Sequence, residues 1–370
     1  MKPRTCFVAA LTFFVFFAAF AHGQASGEQA KTTNSQQGQQ QATPLPPGGL
    51  PALMMQQAGD SPLGQKAALR WTLIDSWAKM PDLDGTGPFS TTYESAPGGL
   101  AWVVYRPKDL AAAASKRKLG VYIWGNGGCS GDSVKEGRFH LTEIASYGYV
   151  AIAPGRLLSG PRAPSMSTQD REKMASAPEN RATAEKMIAG LDWILAENKR
   201  QDSPYFGLID PARVAVAGNS CGGLIALKAA LDPRAKALIM ENSGLFAGSG
   251  QQASAAAARS ASASLTSNKE DLAKLHTPVL YIVGGPEDMA EPNALDDFKR
   301  IQHVPVFVAD QPGAGHIGLF MEPRGEATKL ELDWLKWQFD GDRVAARTFV
   351  GAECTLCTDF RWVVHRKRIE

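Results

Sequence analysis

Short apolar segments alternate with longer amphipathic segments along the middle of the chain. Apolar runs of strand length fall at residues 119–124, 150–153, 214–217, 237–240, 279–283 and 304–309. Segments with helical spacing lie between most of these runs, notably residues 183–198 and 224–231. Apolar runs of this length are typical of strands buried on both faces, with helices connecting parallel strands. The pattern therefore predicts an α/β fold with a mostly parallel central sheet and helices on both of its faces.

The chain before this alternation has two other patterns. Apolar residues recur at helical spacing between residues 65 and 79: Leu69, Leu73 and Trp77. Pro81 ends this run, so one helix is predicted before the sheet. Residues 91–94 and 100–105 have strand patterns and are separated by Ser-Ala-Pro-Gly-Gly, which predicts an antiparallel hairpin at the start of the sheet.

The first 60 residues lack a pattern that could build a core. A charged start is followed by an apolar run over residues 6–21, which is short for a membrane span and ends in small residues. We predict a signal peptide at residues 1–23, with an uncleaved anchor as the alternative. Residues 24–60 are rich in Gln, Pro and Gly and are predicted to form a disordered linker. The chain is therefore expected to be secreted or periplasmic, without a membrane span after cleavage.

The remaining chain divides into a domain at residues 61–345 and a C-terminal tail at residues 346–370. Within the domain, residues 248–268 are dominated by Ala and Ser. Such a long insertion in a compact domain is typical of a functional lid or of a disordered surface loop. The sequence leaves both interpretations open.

Charge and cysteine content narrow the classes of partner and cofactor. The formal net charge is +2, and Lys and Arg are scattered apart from a short cluster at residues 366–368, so no nucleic-acid partner is expected.

Of the 5 cysteines, all but Cys6 follow the signal peptide, and disulfides are the usual state of cysteines in an exported protein. Cys354 and Cys357 are predicted to form a disulfide within the tail. Because the acidic residues lack helix-spaced His partners and Cys354 and Cys357 supply only two thiolates, no metal is expected.

The motif Gly-Asn-Ser-Cys-Gly at residues 218–222 lies between the strand at 214–217 and the helix at 224–231. A strand-to-helix turn of the G-x-S-x-G type forces its central residue into a strained conformation and exposes the side chain. The N–H groups at the start of the helix then face any negative charge that develops there. Ser220 is therefore the candidate nucleophile, with a structural glycine turn as the alternative. Cys221 does not fit, because centring the motif on it loses the first glycine.

Strand polarity selects a candidate base and a candidate acid. Functional groups of a parallel sheet gather at the carboxyl ends of its strands, and His316 is the histidine that follows a strand, in a glycine-rich loop. After the strand at 279–283, the turn Gly-Gly-Pro-Glu-Asp ends in Asp288, which is the candidate acid. Glu287 and Glu241 remain alternatives for the acid.

These motifs, in the order Ser220, Asp288, His316 after a β-rich start, resemble the α/β-hydrolase superfamily over about residues 90 to 340. Within it, the chain resembles secreted dienelactone-hydrolase-like and polyester-hydrolase-like esterases. The resemblance implies a serine esterase that forms an acyl-enzyme on Ser220, acts on small or polymeric esters and needs no cofactor. A serine peptidase or amidase on the same fold and a non-catalytic binding protein that retained the fold are the alternatives.

The segment Trp-Gly-Asn-Gly-Gly-Cys at residues 124–129 resembles the oxyanion loop of this superfamily. It departs from the usual pattern because Trp stands where His is common. The resemblance implies that the N–H of Cys221 binds the oxyanion together with an N–H from this loop. The loop candidates are Asn126, Gly127 and Gly128.

The loop and the motif also carry one cysteine each, Cys129 and Cys221. If the loop and the motif donate to one oxyanion, they must run within several Å of each other, a separation that a disulfide can span. We expect this bond, with two buried free thiols as the alternative.

Overall fold

A mixed β-sheet lies at the centre of the part of the chain that the structure describes. The structure is a computed structural model and describes residues 62–246, 268–317 and 319–369. The predicted signal peptide, the predicted linker and nearly all of the Ala/Ser-rich insertion lie outside the described residues.

Nine strands of the described residues form this sheet. They are β1 (Thr91–Ser95), β2 (Trp102–Pro107), β3 (Leu119–Gly125), β4 (Tyr149–Pro154), β5 (Ile209–Asn219), β6 (Ala237–Glu241), β7 (Val279–Val283), β8 (Val306–Asp310) and β9 (Val363–Lys367). Their order across the sheet is β1-β2-β4-β3-β5-β6-β7-β8-β9. The strands from β4 to β8 in this order pair in parallel, whereas β1 with β2, β2 with β4 and β8 with β9 pair antiparallel. The mostly parallel sheet and its opening hairpin are therefore confirmed.

Ten helices of the described residues surround the sheet. They are α1 (Pro62–Lys79), α2 (Leu110–Ala114), α3 (Arg138–Ser146), α4 (Thr168–Ser176), α5 (Ala184–Glu197), α6 (Cys221–Ala229), α7 (Glu291–Arg300), α8 (Glu326–Asp340), α9 (Arg343–Ala346) and α10 (Thr355–Thr358). The predicted helix before the sheet is α1, which begins three residues before the predicted start. Within the described residues, no helix is both long enough and apolar enough to cross a membrane.

The sheet separates two apolar layers, as the unbroken apolar runs predict. In β3, Val121 and Ile123 face a layer that includes apolar residues of α5 and α6, while Tyr122 and Trp124 face a layer that includes those of α3 and α8. Every residue of β3 is buried. Because both faces of the central strands are covered, nearly all of their interior positions are apolar. The helices on the two faces match the predicted architecture.

The segment assigned to a C-terminal tail contains a strand of the sheet. Residues 363–367 form β9, which pairs antiparallel with β8 at the sheet edge. Only two apolar residues begin this strand, and three polar ones follow, so the sequence pattern did not indicate it. An edge strand tolerates such a composition because one side is open and its basic residues discourage further pairing. Lys367 Nζ also donates to the carbonyl of Phe298 at 2.6 Å, which fastens the strand to the end of α7.

Candidate active site

Ser220 lies in a sharp turn between β5 and α6. Its backbone has φ 51° and ψ −119°, a positive φ that a non-glycine residue adopts only under strain. Both flanking glycines are needed for this turn. A Cβ on Gly218 would lie 2.4 Å from the carbonyl oxygen of Gly222, and a Cβ on Gly222 would lie 1.9 Å from that of Gly125. The turn therefore holds the Ser220 hydroxyl at the carboxyl end of the sheet.

Ser220, His316 and Asp288 form a continuous chain of hydrogen bonds. Ser220 Oγ is 2.9 Å from His316 Nε2, and His316 Nδ1 is 2.6 Å from Asp288 Oδ1. His316 comes from the loop after β8 and Asp288 from the turn after β7, so both lie at the carboxyl ends of their strands. Asp288 is fully buried, and His316 is 6% exposed. The structure thus brings together the three side chains selected by motif and strand polarity.

The two alternative acids lie in other environments. Glu287 Oε2 accepts from the backbone N–H of Gly313 at 3.0 Å, in the loop before His316. Glu241 is buried, and its backbone oxygen, not its side chain, accepts from the N–H of Ser220 at 2.9 Å. Of these carboxyl groups, the one hydrogen-bonded to His316 is that of Asp288.

Asn242 is a part of the site that the sequence reasoning missed. Its Nδ2 donates to Asp288 Oδ2 at 2.7 Å and to the carbonyl oxygen of Gly315 at 3.1 Å, so it joins the acid to the loop that carries the imidazole. Asn242 has a φ of 44°, a conformation that Asn tolerates better than most residues. The sequence signal that could have indicated Asn242 is its position directly after the strand β6, at the same end of the sheet as Ser220.

The loop after β3 lies against this turn. A 3-10 turn at Gly127–Cys129 follows β3, and a Cβ on Gly127 would lie 2.8 Å from Asn219 Oδ1. The Asn126 side chain donates to the carbonyl oxygens of Ser130 at 2.9 Å and Pro154 at 2.8 Å. Since its Nδ2 is used to hold the loop, Asn126 could donate to a ligand only through its backbone N–H.

A disulfide between Cys129 and Cys221 covalently joins the loop to the start of α6, with a Cα–Cα distance of 5.2 Å. The second predicted disulfide, between Cys354 and Cys357, is present as well. Both pairings match the expectation from the sequence. Because the Cys221 sulfur is bonded, it is not available as a thiolate nucleophile.

The first disulfide can be checked on peptides. Cleavage after Lys and Arg places Cys129 in the peptide 119–135 and Cys221 in the peptide 214–228. Mass spectrometry of a non-reduced digest is expected to show these two peptides linked, with the link lost on reduction. Recovery of both cysteines as alkylated residues without prior reduction would exclude the bond.

Two further carboxyl groups shape the electrostatics of the site. A Cβ on Gly127 would lie 2.4 Å from Glu136 Oε2, and burial raises the pKa of Glu136. Burial also raises the pKa of Asp310 to about 6, and its Oδ1 accepts from the N–H of Gly285 at 2.6 Å. The raised pKa of Glu136 keeps this carboxyl closer to neutrality, which limits repulsion of negative charge near Gly127.

Comparisons with known proteins leave the family open. No protein-family model matches the chain. No curated protein shows significant similarity to it. Inference about function therefore depends on the motif order and on the geometry of the site.

Proposed function

We propose that the chain is a secreted serine hydrolase of the α/β-hydrolase superfamily that cleaves carboxylic esters through an acyl-enzyme on Ser220. The observation that carries this proposal is the hydrogen-bonded series of Ser220, His316 and Asp288. Two disulfides are compatible with export to an oxidising compartment.

The fold supports the superfamily assignment in two ways. Ser220, Asp288 and His316 follow β5, β7 and β8 in the chain order typical of that superfamily. The nucleophile stands on a strained turn whose glycines admit close packing of the loop after β3. A set of three side chains from three separate loops, aligned within hydrogen-bond distance, is the arrangement that nucleophilic catalysis by serine requires.

The proton transfers follow from the direction of the hydrogen bonds. The Asp288 carboxylate can only accept a hydrogen bond, so His316 Nδ1 carries the ring proton and the lone pair of Nε2 faces Ser220 Oγ. His316 takes the Ser220 proton as Oγ attacks the ester carbonyl carbon, and the buried Asp288 carboxylate stabilises the imidazolium that forms. His316 then gives this proton to the departing alkoxide, which leaves as the alcohol. Water attacks the acyl-enzyme in the same manner and regenerates the free serine.

Backbone N–H groups would bind the oxyanion of each tetrahedral intermediate. The N–H of Cys221 lies at the amino terminus of α6, where unpaired N–H groups and the helix dipole favour negative charge. The second donor would come from Asn126, Gly127 or Gly128. The disulfide between Cys129 and Cys221 would hold the two donor segments in place before substrate arrives.

A panel of nitrophenyl esters of graded acyl length, with a nitroanilide of the same acyl group, tests this function. The wild-type chain is expected to release nitrophenol from the esters, and the Ser220→Ala variant is the matched control. Faster cleavage of the anilide than of the ester would indicate an amidase. Turnover of neither class, under conditions in which the chain is folded, would count against a hydrolase.

Replacing Asn242 with Ala is expected to lower kcat for a nitrophenyl ester by about 10-fold to 100-fold. The change removes a hydrogen bond to the Asp288 carboxylate, and a bond to a charged group is worth about 1.5–3 kcal/mol. KM should change little, because Asn242 contacts the acid instead of the substrate. Asn198→Ala is a suitable control, since the Asn198 amide caps the start of β5 at the opposite end of the sheet. Equal rates for Asn242→Ala and wild type would show that Asn242 does not position the acid.

A further inference from the structure

A second cluster of ionisable side chains is buried in the protein at the carboxyl end of β6, whose last residue accepts from the N–H of Ser220. It consists of His140 on α3, Glu241 at the end of β6 and Glu331 on α8, with Tyr122 of β3 beside them. One ligand atom from each of the first three residues lies within 4.8 Å of the other two. All four side chains are at most 1% exposed.

This cluster has more hydrogen-bond acceptors than donors. The Tyr122 hydroxyl donates to Glu331 Oε2 and also lies 3.0 Å from His140 Nε2, although it carries a single proton. Among the described residues, no side-chain or backbone donor reaches either carboxyl oxygen of Glu241 or Oε1 of Glu331, and the Glu241 carboxyl lies beside that of Glu331. Buried acceptors left without a donor cost free energy, so their convergence points to a missing positive species.

The charges in the cluster are also unbalanced. The carboxyl groups of Glu241 and Glu331 lie next to each other in the core. Among the described residues, Glu331 has an ion pair with His140, in which Glu331 Oε2 is 3.7 Å from His140 Nε2. No Lys or Arg of the described residues forms an ion pair with Glu241 or Glu331. A divalent cation would balance both carboxylates beside a neutral imidazole.

We propose that His140, Glu241 and Glu331 bind a divalent first-row transition metal, with Zn²⁺ as the best fit. Imidazole nitrogen together with carboxylate oxygen favours Zn²⁺ over Ca²⁺ or Mg²⁺, which prefer oxygen ligands alone. His140 Nε2 and Glu331 Oε2 are 3.7 Å apart. Two ligands of a tetrahedral Zn²⁺ with bonds of about 2.0–2.1 Å are separated by roughly 3.4 Å, so this pair needs a small contraction. The full set of three ligand atoms, which lie within 4.8 Å of one another, needs a larger one.

The surrounding hydrogen bonds have the form expected around a metal site. His140 Nδ1 is 2.9 Å from Thr328 Oγ1. Metal-binding histidines usually donate their second ring N–H to an oxygen, and in that tautomer the Nε2 lone pair faces the cluster. Tyr122 can donate to a second lone pair of Glu331 Oε2 and so orient this ligand.

The proposed site connects α3, α8 and the carboxyl end of β6. Glu241 accepts through its backbone oxygen from the N–H of Ser220, and the next residue, Asn242, binds Asp288. A metal at Glu241 would therefore be structural and would fix the strand end that supports both groups. No sequence motif indicated this site, because the three ligands come from separate elements and show no motif spacing.

Metal content and thermal stability test the site without reference to catalysis. The purified full chain is unfolded in guanidinium chloride with EDTA and without a reductant, so that both disulfides persist. After removal of EDTA it is refolded with and without Zn²⁺, separated from free metal by gel filtration and measured by inductively coupled plasma mass spectrometry. We expect about one Zn²⁺ per chain and a higher unfolding temperature with Zn²⁺ than without it. At free Zn²⁺ of 100 times Kd, the ratio of folded to unfolded chain should rise about 100-fold.

Variants locate the metal within the molecule. Glu241→Gln and Glu331→Gln are expected to refold with no bound Zn²⁺. Asp297→Asn is the matched control, because Asp297 is an equally buried carboxyl that binds Lys269 at 2.6 Å, outside the cluster, and it should retain the metal. Retention of Zn²⁺ by Glu241→Gln would overturn the assignment. Absence of Zn²⁺ from the refolded wild-type chain, with identical unfolding temperatures in both samples, would overturn it even if the variants fail to fold.

Discussion

The Ser220→Ala variant is expected to lose essentially all ester hydrolysis, with kcat reduced by roughly 10⁶-fold, as for loss of the serine in other triad hydrolases. The hydroxyl is the atom that would form the acyl-enzyme, and no other group can replace it. Cys221, the adjacent nucleophile, is bonded to Cys129. The rate is measured on a nitrophenyl ester at saturating concentration, with the unfolding temperature recorded in parallel.

Ser203→Ala is the control for this result. Ser203 lies in the segment after α5 and is buried, and its hydroxyl donates to Glu197 Oε2 at 2.6 Å. Its substitution should leave kcat unchanged. Retention of more than a few per cent of wild-type activity by a folded Ser220→Ala variant would contradict the assignment of the nucleophile.

The Asp288→Asn variant is expected to lower kcat by about 10⁴-fold. An amide at this position can donate to His316 Nδ1, which favours the tautomer that carries its proton on Nε2. That tautomer cannot accept the proton of Ser220. The carboxylate that would stabilise the imidazolium is lost as well.

Glu287→Gln and Glu241→Gln provide the comparison for Asp288. Glu287 binds a loop N–H, and the Glu241 side chain is not hydrogen-bonded to His316, so neither substitution should affect kcat as strongly per folded molecule. Activities are normalised to the folded fraction, because Glu241→Gln alters a buried cluster. A larger loss of kcat for Glu241→Gln than for Asp288→Asn would show that the acid has been assigned to the wrong strand.

Much of the fold could be predicted because the central strands are covered on both faces. Burial on both faces requires apolar residues at every position, as in β3, and this makes such strands visible as unbroken runs. β9 was not predicted, because an edge strand can keep polar residues and so lacks an unbroken apolar run. The limits of helices and strands were less accurate. β5 begins at Ile209, five residues before its apolar run, because Ile209 already pairs with Leu119 of β3 and the register then shifts before Val214 pairs with Val121.

The candidate triad could be selected from sequence because local rules constrain each member. Ser220 needs glycines on both sides, and strand polarity leaves few positions for a base and an acid. Asn242 and the cluster of His140, Glu241 and Glu331 follow no local rule. Their contacts depend on which strands become neighbours and on which helix faces meet the sheet, and these relations appear only in three dimensions.

Peptide-level labelling with a fluorophosphonate probe tests the proposed function most directly, because the probe forms a covalent bond with a serine only where that serine is activated. The wild-type chain is expected to take up one probe, located by mass spectrometry on Ser220 in the peptide 214–228. Asp288→Asn should react far more slowly, and Ser220→Ala should remain unlabelled. A folded wild-type chain with no adduct, or with its adduct on a residue other than Ser220, would contradict the account.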